Sequence, residues 1–250
     1  TMGKAATIDK DSDGSIDQWG IVWNFTEPYF FIPWLSGFGG WVFDDQGQPS
    51  LNTPGAVEAF RFVKSLRDQY HIIPPDCDYA MADALFKEGR AAMLVNGPWS
   101  WPGYEQSGVN YELARIPKIT ATRLWPAPMV SPLGYSLNSN LRGRALDESI
   151  ALLEYLVSDS VQRRFVIEIG VIPSSLALRQ DSAYLSRPHM AESLAQLEVG
   201  RMMPVAPELR AIWDAMRPAY QSVLGGSLSP EQAAAQMQAD AEKKIREMNE

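Results

Sequence analysis

Apolar and polar positions along this chain follow two rhythms. Near-continuous or alternating apolar runs, bounded by glycine, proline or polar clusters, mark strand candidates at residues 18–23, 91–95, 111–117 and 133–138. Residues 41–43 and 49–51 flank the polar turn 44–48, which carries Gly47, and read as a hairpin. A period near 3.6 marks helices. Val57, Phe60, Val63 and Leu66 share one face behind a Thr53-Pro54 start, and residues 76–88 form a second amphipathic helix. Residues 30–35 begin a helix that ends at Gly37, Gly39 and Gly40. Further on, residues 144–157 and 160–170 predict a helical pair with Ser160 as the second cap, followed by a short extended piece at 172–175. Helices are then expected over 184–197, 207–224 and 230–248, separated by 200–204 and 225–227. Residues 120–132 read as an irregular, proline-rich connection. There is no internal repeat. Strands alternating with helices, with helices dominant by the end, predict the α/β class.

One stretch organises the rest. The apolar run 91–95 ends at Asn96-Gly97-Pro98-Trp99-Ser100-Trp101, where glycine and proline stop a strand and two indoles follow at once. In open α/β sheets the carboxyl end of a strand is where ligands settle. An indole there offers a flat apolar face and one N–H donor, which suits the C–H-lined face of a sugar ring better than an ion or a phosphate. Either tryptophan could instead be a core residue. Large indoles are rarely wholly buried, so the two are not expected to be buried together.

Composition narrows the partners. The 250 residues, 46% hydrophobic, suffice for one large domain or two small ones with real cores. A net charge of −8 with no basic run argues against nucleic acid or an anionic membrane surface. The single cysteine, Cys77, permits no internal disulfide, and neither His71 nor His189 lies in a motif that would activate it. It reads as structural. No apolar stretch approaches the length of a membrane span, and the first residues are not a secretory signal. Residues 1–8 read as a disordered or appended leader. Asp9, Asp11 and Asp13, with Gly14 and Asp17, match the first half of a calcium loop, but Gly20 stands where the twelfth, acidic ligand is expected and no helical run precedes the loop. A solvated turn is the competing reading. No cofactor is implied.

The pieces resemble the extracellular solute-binding proteins of sugar importers, and look most like the maltose and maltodextrin binders. The likeness rests on Asn24 to Phe30 followed by Gly39-Gly40, on Asp78-Tyr79, Phe86 to Gly89, Ala92-Met93 and Asn96 to Trp101, and on Met203-Pro204 with Trp213 to Arg217. It implies a periplasmic-binding-protein type II-like fold, mainly the carboxy-terminal lobe plus part of the other: 9–132 as the aromatic lobe, 133–180 as hinge-crossing pieces of the other lobe, 181–250 as a helical return. A family member opens with a complete amino-terminal lobe, roughly its first third, and this sequence starts after it. By the resemblance, Tyr29, Trp99 and Trp213 are platforms on which glucosyl rings stack. Glu27 accepts sugar hydroxyls, Arg217 is a polar partner at the far end of the groove, and Met203 is a minor apolar wall. The implied function is non-enzymatic maltodextrin binding for an ATP-driven importer, periplasmic or extracellular, free or membrane-tethered, with the permease as partner. The strand 133–138, without its sheet partners, would present an apolar face that favours a homodimer. Two alternatives remain: a module fused to a permease or acting as a sensor, and a carbohydrate-active hydrolase, for which Glu27 and Glu105 would be the carboxylates.

Overall fold

The run at 18–23 finds partners on both flanks. In the computed structural model, which describes residues 2–186 and 189–250, Trp19 and Val22 bridge in parallel to Ala91 and Leu94. The Trp19 and Val22 amides donate to the Arg90 and Met93 carbonyls at 2.9 Å, and Ala92 and Val95 donate back to Trp19 and Val22 at 2.9 and 3.0 Å. On the other flank Ile21 donates to the Ile72 carbonyl at 3.2 Å and Phe25 to that of Cys77 at 2.8 Å. Three chain segments thus run together as a small parallel arrangement, and their carboxyl ends lie at residues 25, 77 and 95.

Helices close around it. In chain order they are α1 (Met2–Ala6), α2 (Ile32–Gly37), α3 (Pro54–Asp68), α4 (Tyr79–Lys87), α5 (Trp101–Ser107), α6 (Gly143–Val157), α7 (Asp159–Ile169), α8 (Leu176–Arg179), α9 (Ser182–Leu185), α10 (Met190–Leu197), α11 (Leu209–Gly225) and α12 (Pro230–Met248). Two short strands, β1 (Met129–Val130) and β2 (Arg201–Met202), pair in parallel. Short-range chemistry sets several starts. The Thr53 side chain accepts from the Ala56 amide at 3.2 Å, Asp78 from Met81 at 2.8 Å, and Ser229 and Gln232 form a reciprocal capping box ahead of α12.

The main core joins α2, α3, α11 and α12 to the parallel segments. Phe31 stacks on Phe60 with centroids 4.6 Å apart, and the buried Trp23 indole donates to the Tyr220 hydroxyl at 2.8 Å, linking positions 197 apart in sequence. The Gln238 side chain, on α12, accepts from the Leu51 amide at 2.6 Å and donates to the Pro49 carbonyl at 2.9 Å, which ties the hairpin to the final helix. A smaller cluster gathers Trp101, Tyr104, Val166, Tyr184 and Met190. By contrast α6 buries none of its residues, and Leu133, Leu152, Tyr155, Ile167 and Leu176 are exposed.

Several expectations are corrected. Residues 111–117 form no strand: the Ile116 amide donates to the Gln196 side chain at 2.8 Å, and Tyr111 and Leu113 pack on the smaller cluster. The alternation there records packing against helices, not sheet pairing. Residues 133–138 are likewise not a strand. Leu133 is fully exposed and Tyr135 largely so, and strand geometry without a partner ladder has nothing to hold it. Strands appear instead within the stretches read as an irregular connection and a separator, at β1 and β2. Helix 30–35 is a 3-10 turn, Pro28–Phe31, leading into α2. Ser158, extended at φ −63 and ψ 150, separates α6 from α7, so the second helix starts at Asp159 and Ser160 lies inside it. The helix expected over 184–197 is two, α9 and α10, and the part of it at 187–188 lies outside the described residues. Residues 2–8 are not a loose leader: α1 forms, and Ile8 bridges antiparallel to Gln18. Thr1, the first residue of that expected leader, lies outside the described residues.

Candidate functional site

The carboxyl ends of the parallel segments lead directly into the residues that carry the candidate chemistry. After Phe25 the chain turns through Glu27 into the 3-10 turn that holds Tyr29, and after Val95 it turns through Gly97 into a second 3-10 turn, Pro98–Ser100, that holds Trp99. This is the place where an α/β arrangement leaves room for a ligand.

Tyr29 and Trp99 are neighbours, with ring centroids 6.3 Å apart and planes inclined at 54°. The Tyr29 hydroxyl donates to the Met129 carbonyl at 3.0 Å, and burial pushes the phenol pKa upward, so it stays a protonated donor at neutral pH. Trp99 is 55% exposed, a large apolar face open to solvent. Its partner in sequence, Trp101, faces inward and is buried in the smaller cluster. The two indoles, two positions apart, divide between surface and core.

Helix α11 carries two more of the candidate residues. Trp213 and Arg217, one turn apart, are both half-buried. Arg217 Nη2 lies 2.9 Å from Glu27 Oε2, joining α11 to the turn that carries Tyr29. Its Nε is buried and makes no hydrogen bond. Both side chains of the pair are more than 40% exposed, and an ion pair that open contributes only about 0–1 kcal/mol to stability. Arg217 and Glu27 therefore present paired polar groups beside the aromatic rings at little benefit to the fold. Met203 packs against the core, and its amide donates to the Val130 carbonyl at 2.9 Å, next along the chain from the carbonyl that receives Tyr29. Glu27, Tyr29, Trp99, Met203 and Arg217 are thus connected by contacts or adjoining hydrogen bonds. Trp213 joins them through its helix. Among the described residues no ring contact links it to Tyr29 or Trp99.

Tyr79 belongs to this group and sequence reasoning gave it no role. Its hydroxyl accepts from Trp99 Nε1 at 2.9 Å and its ring is 6.3 Å from Phe30. The available signal was its place as the first residue of α4, directly after the capping Asp78.

Other candidates lie apart or are inert. Glu105 is exposed on α5. Cys77 is buried, and its thiol is pushed up to about 12 by burial first and by Asp78 and Asp76 next, so it remains protonated. In the acidic loop the carboxylates that approach one another are those of Asp9, Asp11 and Asp17, within 4.8 Å. The Asp13 carboxylate instead accepts the Ser15 amide at 2.7 Å. Asp9 accepts two backbone amides, from Ser12 at 2.8 Å and Gly14 at 3.0 Å, which is how such a turn holds itself without an ion.

The solved maltose/maltodextrin-binding domain of Bdellovibrio bacteriovorus, bound to maltotriose, superposes with a TM-score of 0.89 at 47% identity over 98% of this chain and 64% of its own. A maltotriose-binding protein of Pyrococcus abyssi is 25% identical over 223 residues, 87% of this chain and 48% of its own length. A galactooligosaccharide-binding protein of Bacillus subtilis is 24% identical over 95% of this chain and 58% of its own. The chain spans about half the length of these curated relatives. Its fold is that of part of a type II periplasmic binding protein. The family profile described as bacterial extracellular solute-binding protein matches residues 3–192, and the chain belongs to that family.

Proposed function

We propose that this chain binds a maltodextrin-like oligosaccharide without altering it, as the aromatic part of the solute-binding protein of an ABC sugar importer. The observation that carries this reading is the exposed Trp99 ring beside Tyr29, next to the open Glu27–Arg217 pair. Sugar rings stack their C–H faces on aromatics, and their hydroxyls need charge-assisted acceptors and donors placed around the stack. Glu27 accepts hydroxyls, Arg217 donates, Tyr29, Trp99 and Trp213 stack, and Met203 closes the apolar edge. Sugar-driven closure of two lobes would then present the protein to a permease, at the outer face of the membrane or in the periplasm. Use as a sensor or as a permease-fused module would employ the same wall, and the neighbouring coding sequence distinguishes these.

Hydrolysis fits the geometry poorly. A glycosidase sets two carboxylates across the scissile bond, whereas Glu27 is engaged by Arg217 and Glu105 faces solvent on α5. The apolar side chains exposed on α6 and α7 support burial against a partner surface: a leading lobe where one is present, and a second copy for the 250 residues alone.

The test is a titration with maltotriose and with a galacto-oligosaccharide, following tryptophan fluorescence. It is run on this chain and on a form carrying the leading lobe of the Bdellovibrio relative. A saturable change with maltotriose supports the reading, and the stronger of the two responses assigns the sugar. No change with either at millimolar sugar in the two-lobed form overturns it.

A further inference from the structure

Trp99 stands on a three-residue turn and is 55% exposed. An indole so placed would ordinarily sample several rotamers, and a mobile platform loses affinity because ordering it opposes binding. Here both edges of the ring are held. The benzo edge lies over Gly97: a Cβ built there would sit 2.1 Å from Cζ3, 2.2 Å from Cη2 and 2.5 Å from Cε3 of Trp99. Gly97 has φ −106 and ψ 170, extended backbone open to any residue. The glycine is therefore needed for the space beneath the ring and not for its dihedrals. At the other edge the indole N–H donates to the Tyr79 hydroxyl at 2.9 Å. Tyr79, 38% exposed, stands in the first turn of α4 behind the Asp78 cap, with its ring 6.3 Å from that of the buried Phe30.

We propose that Gly97 and Tyr79 are positioning residues for Trp99, fixing the plane of its ring beside Tyr29 and acting on the sugar only through that ring. This rests on the sugar-binding reading for its consequence, though not for the geometry. Glycine supplies clearance, the phenol supplies an acceptor, and together they turn an exposed side chain into a preorganised surface.

Two variants and one background test it. Tyr79→Phe removes the acceptor and keeps the ring, Gly97→Ala fills the clearance, and each is made with Trp99 intact and with Trp99→Phe. In the sugar-free chain, the Trp99 indole N–H resonance is identified among the 8 tryptophans by its loss in Trp99→Phe. It should shift and exchange faster with solvent in Tyr79→Phe, and shift in Gly97→Ala, while the other indole signals stay in place. Maltotriose affinity should fall by about 3- to 10-fold in either variant, with no further loss when Trp99 is already phenylalanine. An unmoved Trp99 resonance in Tyr79→Phe overturns the proposal, whether or not Gly97→Ala folds. So does an affinity loss from Tyr79→Phe that is equal in both backgrounds, since Tyr79 would then touch the sugar itself. If no sugar binds to the unmutated two-lobed form, the sugar reading fails and the resonance still decides the positioning role.

Discussion

Replacing Glu27 by glutamine separates a binding role from a structural one, because the structure assigns very different sizes to the two. The substitution keeps shape and removes charge. On the structural side, the carboxylate pairs with Arg217 at 2.9 Å with side chains 46% and 42% exposed. Solvent screens such a pair, and its loss should cost no more than about 1 kcal/mol of folding stability. On the binding side, a hydrogen bond from a sugar hydroxyl to an ionised group contributes about 1.5–3 kcal/mol. At 1.4 kcal/mol per tenfold change, maltotriose affinity should fall roughly 10- to 100-fold. The assay pairs a fluorescence or calorimetric titration of the two-lobed form with urea unfolding of the same samples. Unchanged affinity accompanied by a stability loss well above 1 kcal/mol would refute the assignment and make Glu27 a strut for α11.

Four further outcomes follow from the geometry. Tyr220→Phe leaves the buried Trp23 N–H without its acceptor and should lower unfolding stability by about 1–3 kcal/mol in urea; a change under 0.5 kcal/mol contradicts this. Burial raises the Cys77 thiol from 9.0 to about 12 and the Tyr104 phenol from 10.0 to about 12, and raises Tyr220 as well. Each group holds its proton more tightly folded than unfolded. The contribution of these groups to stability should therefore be level below pH 9.0 and decline as pH rises from there toward about 12, and an alkaline-stable melting curve would show that these groups are not sealed. Leu152→Asp with Tyr155→Asp, both on the exposed face of α6, should reduce self-association in sedimentation without lowering the melting midpoint; an unaltered oligomer places the contact elsewhere. Calcium should leave the melting midpoint where chelator leaves it, since Asp9 already caps its own turn; a calcium-dependent rise of several degrees would make the loop an ion site.

Legibility followed the range of the forces involved. The starts of α3 at Thr53-Pro54 and of α12 at residue 230 were readable, and in both a side chain just ahead of the helix accepts an amide three residues on. The runs at 18–23 and 91–95 were readable as extended segments because both are mostly apolar, whereas the isolated parallel bridges that join them were not. What failed was pairing. Tyr111 and Leu113 alternate like strand residues but answer to the helices around Tyr104 and Tyr184, and β1 and β2 are too short for any periodicity to register. In the candidate site, Tyr29, Trp99 and Arg217 were assigned from family likeness, and local chemistry explains only where Trp99 stands. Tyr79 was missed because its contact with Trp99 spans 20 positions, a distance at which no spacing rule operates.

The Glu27–Arg217 contact closes 190 positions of sequence, and Trp23–Tyr220 closes 197. Such closures depend on nearly the whole polypeptide being available, so folding is expected to be slow and to finish late. A chain emerging from a ribosome has Tyr29 and Trp99 long before α11, so the Glu27–Arg217 contact, and with it the sugar wall proposed above, forms only once that helix has been made.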